Sequence, residues 1–557
     1  MEREKINGSR ILLECLYRLG IRDVFGYPGG SVIPIYDEIY KFGKIKHYFA
    51  RHEQGAAHEA DGYARASGKI GVCIATSGPG ATNIVTGIMT AHMDSIPLLA
   101  ITGQVGLNML GKDSFQESDI VGITLPITKN SRLITDIREL PRIIKESYYI
   151  ATTGRPGPVL IDIPKDIQME EMDYKEFEKL YAIDLDLPGY VPTILGHPKQ
   201  IKTAINLIKK AKKPLIIAGA GVLKSGSTED LREFARKANI PVTTTLLGLG
   251  VFPSDDDLSL GMLGMHGTVA ANFATAEADL IIAAGIRFDD RIAGNPEKFC
   301  ANAEIIHIDI DPAEIGKNKK IDVPIVGDLK NVLEKFNKSI DTLEHREWNA
   351  QLQEWKNEYP LGYGKSMEGK LMPQEIMEAV DKIIKGNAIV ATDVGQHQMW
   401  VAQYLSFNRP NTILTSGGAG TMGFGLPAGI GAQIAKPDEK VICIVGDGGF
   451  QMTFQELMMV KQYNLPLKVV IINNRYLGMV RQWQEMFQEK RYSFLDLSQS
   501  PDFSKIAEAY GIDFAKIETR EDIQEKMLAL MASDRAAIIE CVVESEANVF
   551  PMIPSGA

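Results

Sequence analysis

The chain has 557 residues, 45% hydrophobic and 24% charged, which is a globular composition and excludes a disordered chain. At that length roughly three to four domains are expected. Sixty Lys and Arg against 71 Asp and Glu give a formal charge of −11, which excludes a nucleic-acid binder built on a basic surface. No apolar run approaches the ~18 residues of a membrane span, so no membrane contact is expected. Five dispersed Cys without a C-x-x-C argue against a zinc knuckle or a disulfide framework, and Cys73 and Cys443 read as buried apolar residues. The charged start, Met1 to Asn7, leads into a helix pattern rather than a leader. A reduced, cytoplasmic protein is the expectation.

In chain order, the first third alternates strands and helices. Strands are expected at 45–50, 70–76 and 96–103, with helices at 54–67 and 81–93, and the unit closes at 159–164 just before Lys165. Each strand is a near-continuous apolar run, as in parallel strands covered on both faces. A charged, proline-dotted stretch then reads as a linker. A second α/β unit carries strands at 214–218, 280–284 and 305–309 and a helix at 228–238, ending near Asp328. A polar stretch, helical at most, follows. The third unit starts near Pro373, with strands at 388–392, 441–445 and 467–472. The organisation predicted is an N-terminal domain over 1–170, a linker over 171–198, a central domain over 199–340, a linker over 341–367 and a C-terminal domain over 368–557. The fold class is α/β, three doubly wound parallel-sheet domains, and no short-period repeat is visible.

The sharpest chemical signal lies in the third unit. The strand at 441–445 runs into Gly446-Asp447-Gly448, and the strand at 467–472 runs into Asn473-Asn474. Asp447 and Asn474 are 27 positions apart, one βαβ repeat, so both should stand at carboxyl ends of parallel strands, where open sheets bind ligands. A carboxylate and an amide oxygen suit Mg²⁺, which prefers one or two protein oxygens plus a diphosphate. Glu53 stands between a strand end and a helix start, where a Glu also complements the helix dipole. In the second unit Gly219-Ala220-Gly221 follows a strand, but Lys224 occupies the third glycine position of a dinucleotide fingerprint.

The spacing from Gly446-Asp447-Gly448 to Asn473-Asn474 resembles the thiamine-diphosphate signature. Arg51-His52-Glu53-Gln54-Gly55-Ala56-Ala57-His58, Thr76 to Asn83, Gly395-Gln396-His397-Gln398-Met399-Trp400, Gly423-Phe424-Gly425-Leu426-Pro427 and the tail Pro551-Met552-Ile553-Pro554-Ser555-Gly556 are similar to the catalytic subunit of acetohydroxyacid synthases. The resemblance implies that Asp447, Asn474 and the Tyr476 carbonyl hold Mg²⁺, and that Glu53 hydrogen-bonds the aminopyrimidine of thiamine diphosphate and promotes loss of the thiazolium proton. It implies further contacts to that cofactor from Pro28, Gly29, Pro79, Asn83, Val394, Gly395, Gln396, His397, Gly420, Met422, Gly446, Gly448, Gly449, Leu477, Gly478 and Met479.

The strings around Gly264-Met265-His266, Gly285-Ile286-Arg287-Phe288-Asp289-Asp290-Arg291 and His307-Ile308-Asp309-Ile310-Asp311 resemble the FAD-binding strings of the same family. They imply FAD contacts from Arg155, Gly219, Ala220, Gly221, Gly264, Met265, His266, Gly285, Arg287, Arg291, Asp309, Ile310, Gly327 and Asp328. By the same resemblance Gln116 and Lys165 line the substrate approach, Arg291 binds the carboxylate of the second 2-keto acid, and Trp483 shapes the pocket for its side chain; helix packing is the alternative for Trp483. Gly106-Leu107-Asn108, Ser31 and Ser114 depart from the family's usual residues at the channel rim. The expected reaction joins the two-carbon unit of pyruvate to pyruvate or 2-ketobutyrate, the first common step toward branched-chain amino acids. A flavin-linked pyruvate oxidase is the alternative within the class. Active sites shared between the subunits of a homo-oligomer, and a small regulatory subunit as partner, are further implications.

Overall fold

The computed structural model describes residues 5–366 and 368–553. The tail residues Pro554, Ser555 and Gly556 lie outside them. Three six-stranded parallel sheets, each flanked by helices, form the architecture. In the N-terminal domain the strands lie in the order Lys46–Phe49, Asp23–Gly26, Gly71–Ala75, Leu98–Gln104, Pro158–Pro164, Asn130–Leu133. In the C-terminal domain the order is Ile413–Leu414, Ile389–Thr392, Val441–Gly446, Lys468–Asn473, Ala537–Val542, Asp513–Ile517. Counted within each domain, both orders are 2-1-3-4-6-5. The central sheet differs, at 3-2-1-4-5-6: Ser259–Met262, Val242–Thr244, Pro214–Ala218, Leu280–Ala284, Glu304–Asp309, Val323–Val326.

The central strands are buried throughout, which is why they read as unbroken apolar runs; all seven residues of Leu98–Gln104 and of Pro158–Pro164 are buried. The expected helix at 81–93 is two helices, Pro79–Asn83 and Val85–Met93, joined at Ile84. The Ala- and Gly-rich helix Glu53–Ser67 is rich in small residues for a packing reason. It lies backbone to backbone against Gly425–Ala435 of the C-terminal domain. A Cβ on Gly62 would fall 2.1 Å from the Ala428 carbonyl oxygen, and one on Gly431 would fall 1.9 Å from that of Glu59.

The two stretches expected as linkers carry packed structure. Glu171–Asp173 pairs antiparallel with Lys5–Asn7, and helix Tyr174–Ala182 buries Phe177 in the N-terminal core. Its charged face masked a short amphipathic period. Helix Arg346–Glu358 buries Trp348 and Leu352 on the central domain, and the Trp348 Nε1–H donates to the Pro214 carbonyl at 3.0 Å. Two buried apolar residues in thirteen are a faint signal, yet they join the apolar core on one face of that sheet. All five cysteines are buried and unpaired.

Candidate active site

In each sheet the ligand crevice is set by topology: it opens where neighbouring strands send their connections to opposite faces. In the C-terminal domain this falls between Ile389–Thr392 and Val441–Gly446. Helix Asp447–Thr453 starts at the second of these, and the adjacent strand Lys468–Asn473 ends at the same level, with Gly446 opposite Ile472. Asp447 and Asn474 therefore stand at neighbouring strand ends. A cleft of about 450 Å³ there is walled by Val394, Gly395, Gln396, His397, Met422, Gly446, Asp447, Gly448, Gly449, Asn474, Tyr476, Leu477, Gly478 and Met479, with Trp400, Ile472 and Val480 as further walls. Gly420 is not a wall; it stands at φ +64°, and a Cβ there would lie 4.0 Å from Val394.

Asp447 is 1% exposed, and its Oδ2 is buried with no hydrogen-bond partner. Burial pushes its carboxyl up to about 7. The Asn474 Nδ2–H donates to Gln396 Oε1 at 3.2 Å, and its Oδ1 accepts from the Tyr476 N–H at 3.1 Å, which leaves that oxygen a second lone pair. An unpartnered buried carboxylate oxygen, an amide oxygen and a backbone carbonyl form an all-oxygen donor set, which fits a hard divalent cation. The glycines fit a diphosphate, because they bring backbone rather than side chain to the cleft floor. His397 is driven down to about 4 by burial, so its ring is neutral against this floor.

Asp393, one residue before the first wall, was missed. Its carboxylate accepts from the Val394 N–H at 2.7 Å and from the Gly423 N–H at 2.8 Å and 3.0 Å, and a Cβ on Gly449 would strike its Oδ2 at 2.4 Å. Three cofactor loops thus rest on one fully buried acid, itself pushed up to about 7 by burial. The signal available was an acid at a strand end beside the crevice.

The equivalent crevice of the N-terminal domain lies between Asp23–Gly26 and Gly71–Ala75. Pro28 and Gly29 leave the first strand, and Thr76 leaves the second; a Cβ on Gly29 would fall 2.5 Å from Thr76. Pro79 opens helix Pro79–Asn83. Glu53 is the first residue of its helix, the His52 ring caps the Gln54 N–H, and the Asn83 Nδ2–H donates to Glu53 Oε2 at 3.0 Å. Gly80 leaves room for the other oxygen, since a Cβ there would sit 3.2 Å from Glu53 Oε1. Gln116 stands at φ +61°, against Gly78, beside the 87%-exposed Phe115. Lys165 begins helix Lys165–Met169 at the end of Pro158–Pro164. The walls of the Asp447 cleft all come from residues 394–480, and Glu53 of the same chain is not among them.

The central crevice lies between Pro214–Ala218 and Leu280–Ala284 and opens into a cleft of about 720 Å³. Its walls include Arg155, Ala220, Gly221, Gly285, Arg287, Asp309, Ile310 and Asp328, joined by Asp94, Ser95, Lys224 and Glu314, which the sequence reading did not place here. Gly219 and Gly327 stand behind the walls: Cβ atoms there would meet the Gly285 oxygen at 2.3 Å and the Gly196 nitrogen at 2.7 Å. Arg155 bridges from the N-terminal domain to Asp311 at 3.2 Å and Glu314 at 2.6 Å. Asp309, raised to about 6 by burial, offers a carboxylate at a strand end. Close-packed glycine backbones and a strand-end carboxylate at the switch point of a parallel sheet fit a dinucleotide such as FAD.

Gly264, Met265 and Arg291 wall a neighbouring cleft with Ile553 of the tail. The Arg291 side chain is 60% exposed, 3.7 Å from Asp290 and 3.8 Å from the Met265 sulfur. His266 belongs to neither cleft; it is buried, with Nδ1 3.1 Å from the Pro551 carbonyl oxygen. Trp483, half-buried on helix Gly478–Phe487, faces Phe487 with ring centroids 5.0 Å apart, outside the packed cores.

Residues 6–123, 201–336 and 393–541 match, in turn, the N-terminal TPP binding domain, the central domain and the C-terminal TPP binding domain of thiamine pyrophosphate enzymes. Fold and crevices together define a thiamine-pyrophosphate-dependent enzyme. The chain is 48% identical over 553 residues to the acetolactate synthase large subunit of Lactococcus lactis, covering 99% of this chain and 95% of that one. It is 47% identical to the large subunit of Pyropia yezoensis, over 99% and 94% of the two chains, and 45% identical to that of Haemophilus influenzae, over 99% and 96%. The chain belongs to the acetolactate synthase large-subunit family.

Proposed function

We propose that this chain is the catalytic subunit of an acetohydroxyacid synthase, releasing CO₂ from pyruvate and joining the remaining two-carbon unit to pyruvate or 2-ketobutyrate. The products are 2-acetolactate and 2-aceto-2-hydroxybutyrate. The observation that carries the reading is the pair of crevices: an acid held by Asn83 in one domain and, in another, an acid with one unpartnered buried oxygen at a glycine-floored crevice. We assign the first to 1–170, the second to 368–557 and a flavin site to 199–340.

Thiamine diphosphate, when bound, supplies an electron sink for the carbon–carbon bonds broken and formed. Asp447, Asn474 and the Tyr476 carbonyl would hold Mg²⁺, which would offset the diphosphate charge. Glu53 holds a proton at the pyrimidine ring nitrogen, and the Asn83 amide fixes which carboxylate oxygen is free to do so. Arg291 clamps the acceptor carboxylate, Trp483 walls the acceptor side chain, and Gln116 and Lys165 line the approach. The residues of the central cleft would hold FAD, which would undergo no net redox change because carboligation transfers no electrons to it. The half-sites complete one another across a dimer, and a small regulatory subunit is the proposed partner, consistent with the large-subunit naming of the relatives. Among the described residues no helix is long and apolar enough to cross a membrane; a cytoplasmic location is proposed.

Incubation with pyruvate plus 2-ketobutyrate tests the reading. Both acetohydroxyacids should form only when thiamine diphosphate and Mg²⁺ are present, with no oxygen uptake. Oxygen-dependent acetate or acetyl phosphate instead would assign the chain to pyruvate oxidases.

A further inference from the structure

The helix that begins with Glu53 is gripped from the C-terminal domain of the same chain. Glu456 Oε2 accepts from the Arg51 N–H at 2.8 Å, and its carboxyl also accepts from the His52 N–H. A Cβ on Gly55 would fall 2.4 Å from Glu456 Oε1, so the carboxyl lies flat on the first turn of that helix, and only glycine fits beneath it. One helical turn further along the same face stands Glu59, fully buried, both its oxygens without a hydrogen-bond partner among the described residues, and it feels the charge of Glu456. Two buried carboxyls this close oppose one another's ionisation, so the pair favours keeping one proton. The Arg51 charge lowers both acids, though less than burial raises them. The Arg51 guanidinium turns away to the Phe49 carbonyl and to Gln462 Oε1 at 2.6 Å. Tyr463, Tyr510 and Tyr48 are the other titratable groups around the pair, with His52 on the entry turn; the packed helix Gly425–Ala435 carries none.

We propose that Glu456 is a positioning residue for Glu53: its carboxyl holds the entry turn that sets the Glu53 carboxylate, and the buried Glu59 beside it makes that grip depend on the pair keeping one proton. The proposal rests on the role given to Glu53. Burial raises both acids, Glu456 to about 7 and Glu59 well above the ordinary glutamate range. The sign follows. The folded pair keeps a proton that the unfolded chain releases near 4.5, so the protein loses stability as pH rises from there through about 7. Deprotonation leaves two like charges on one helical turn and strains the contact that fixes Glu53.

The test uses the holoenzyme and three variants, with hydrogen–deuterium exchange at the thiazolium carbon, cofactor affinity and thermal midpoint read across pH. Glu456→Ala removes the acceptor for the Arg51 N–H and should slow exchange about 10-fold or more while cofactor affinity stays within about 2-fold, the mark of a displaced proton-transfer group. Glu456→Gln keeps an acceptor oxygen and should restore exchange. Glu59→Gln, the isostere of the protonated acid, should move the alkaline loss of exchange and of thermal midpoint upward by roughly one pH unit or more. Wild-type exchange in Glu456→Ala, no rescue by Glu456→Gln, or an unmoved alkaline limb in Glu59→Gln overturns the proposal. Glu53→Gln is the control: if it exchanges normally, the Glu53 role falls and this proposal with it; if it is slow while Glu456→Ala is normal, only this proposal falls.

Discussion

The N- and C-terminal domains share a strand order but not a chemistry. Both place their crevice between the first and third strands of a 2-1-3-4-6-5 sheet. In the N-terminal crevice the key acid is Glu53, half-buried and hydrogen-bonded to an amide. In the C-terminal crevice the acids, Asp393 and Asp447, are buried and pushed up to about 7. The same scaffold thus presents one half-buried acid held by a side-chain amide and two deeply buried acids, one of which holds backbone amides around its crevice. Topology chooses where ligands sit; burial and partners choose what an acid does there.

The comparison can be broken at either domain. The largest effect is expected in the C-terminal half-site: Asp447→Ala should abolish Mg²⁺-dependent binding of thiamine diphosphate, since one of two side-chain ligands is lost. Calorimetric titration reads this directly, and retained tight, Mg²⁺-dependent binding would refute the assignment. In the N-terminal half-site, Glu53→Gln should leave cofactor binding intact yet slow proton loss at the thiazolium carbon by ~10²–10⁴-fold, the usual worth of a positioned proton-transfer group. Exchange measured by NMR checks it.

A smaller effect sharpens the contrast. Asp393→Asn removes a charged acceptor from the Val394 and Gly423 amides, and hydrogen bonds to charged groups are worth ~1.5–3 kcal/mol. Cofactor half-saturation should rise about 10–100-fold with turnover at saturation largely kept. Gly449→Ala, which pushes a methyl into the same carboxylate, should reproduce the defect and not add to it. The smallest effect lies at the acceptor pocket. Trp483→Leu should erode preference between acceptors that differ by one methylene, a discrimination limited to ~10–200-fold. Arg291→Lys should weaken both acceptors together, because both carry the carboxylate. Product ratios in a pyruvate and 2-ketobutyrate competition separate the two; an unchanged ratio in Trp483→Leu would return Trp483 to a packing role.

The sequence disclosed the strand-end positions well, because buried parallel strands leave unbroken apolar runs and the residue after each run is then fixed in space. That is how Asp447 and Asn474 could be placed side by side before any coordinates. The shared strand order of the outer domains was not legible: it is a repeat of topology, carried by no repeated residues, and edge strands such as Ile413–Leu414 are only two residues long. Helix Tyr174–Ala182 read as linker because its one fully buried anchor, Phe177, sits among charges that face water. Asp393 was missed because a lone acid at a strand end looks like a turn residue until the three loops resting on it are seen. The Glu59 and Glu456 pair was beyond reach for another reason: nearly 400 positions separate the two, and only the packing of Glu53–Ser67 on the C-terminal domain brings them together.

The central claim is that Glu53 of one chain and Asp447 of another complete a single site. Glu53→Gln and Asp447→Ala chains, each inactive alone, can be co-expressed under two tags and the mixed dimer isolated. If the halves combine across subunits, each mixed dimer contains one wholly intact site, and acetolactate formation should return with one thiamine diphosphate bound tightly per dimer. If both halves of a site come from the same chain, the mixed dimer holds no intact site; an inactive mixed dimer would contradict the account.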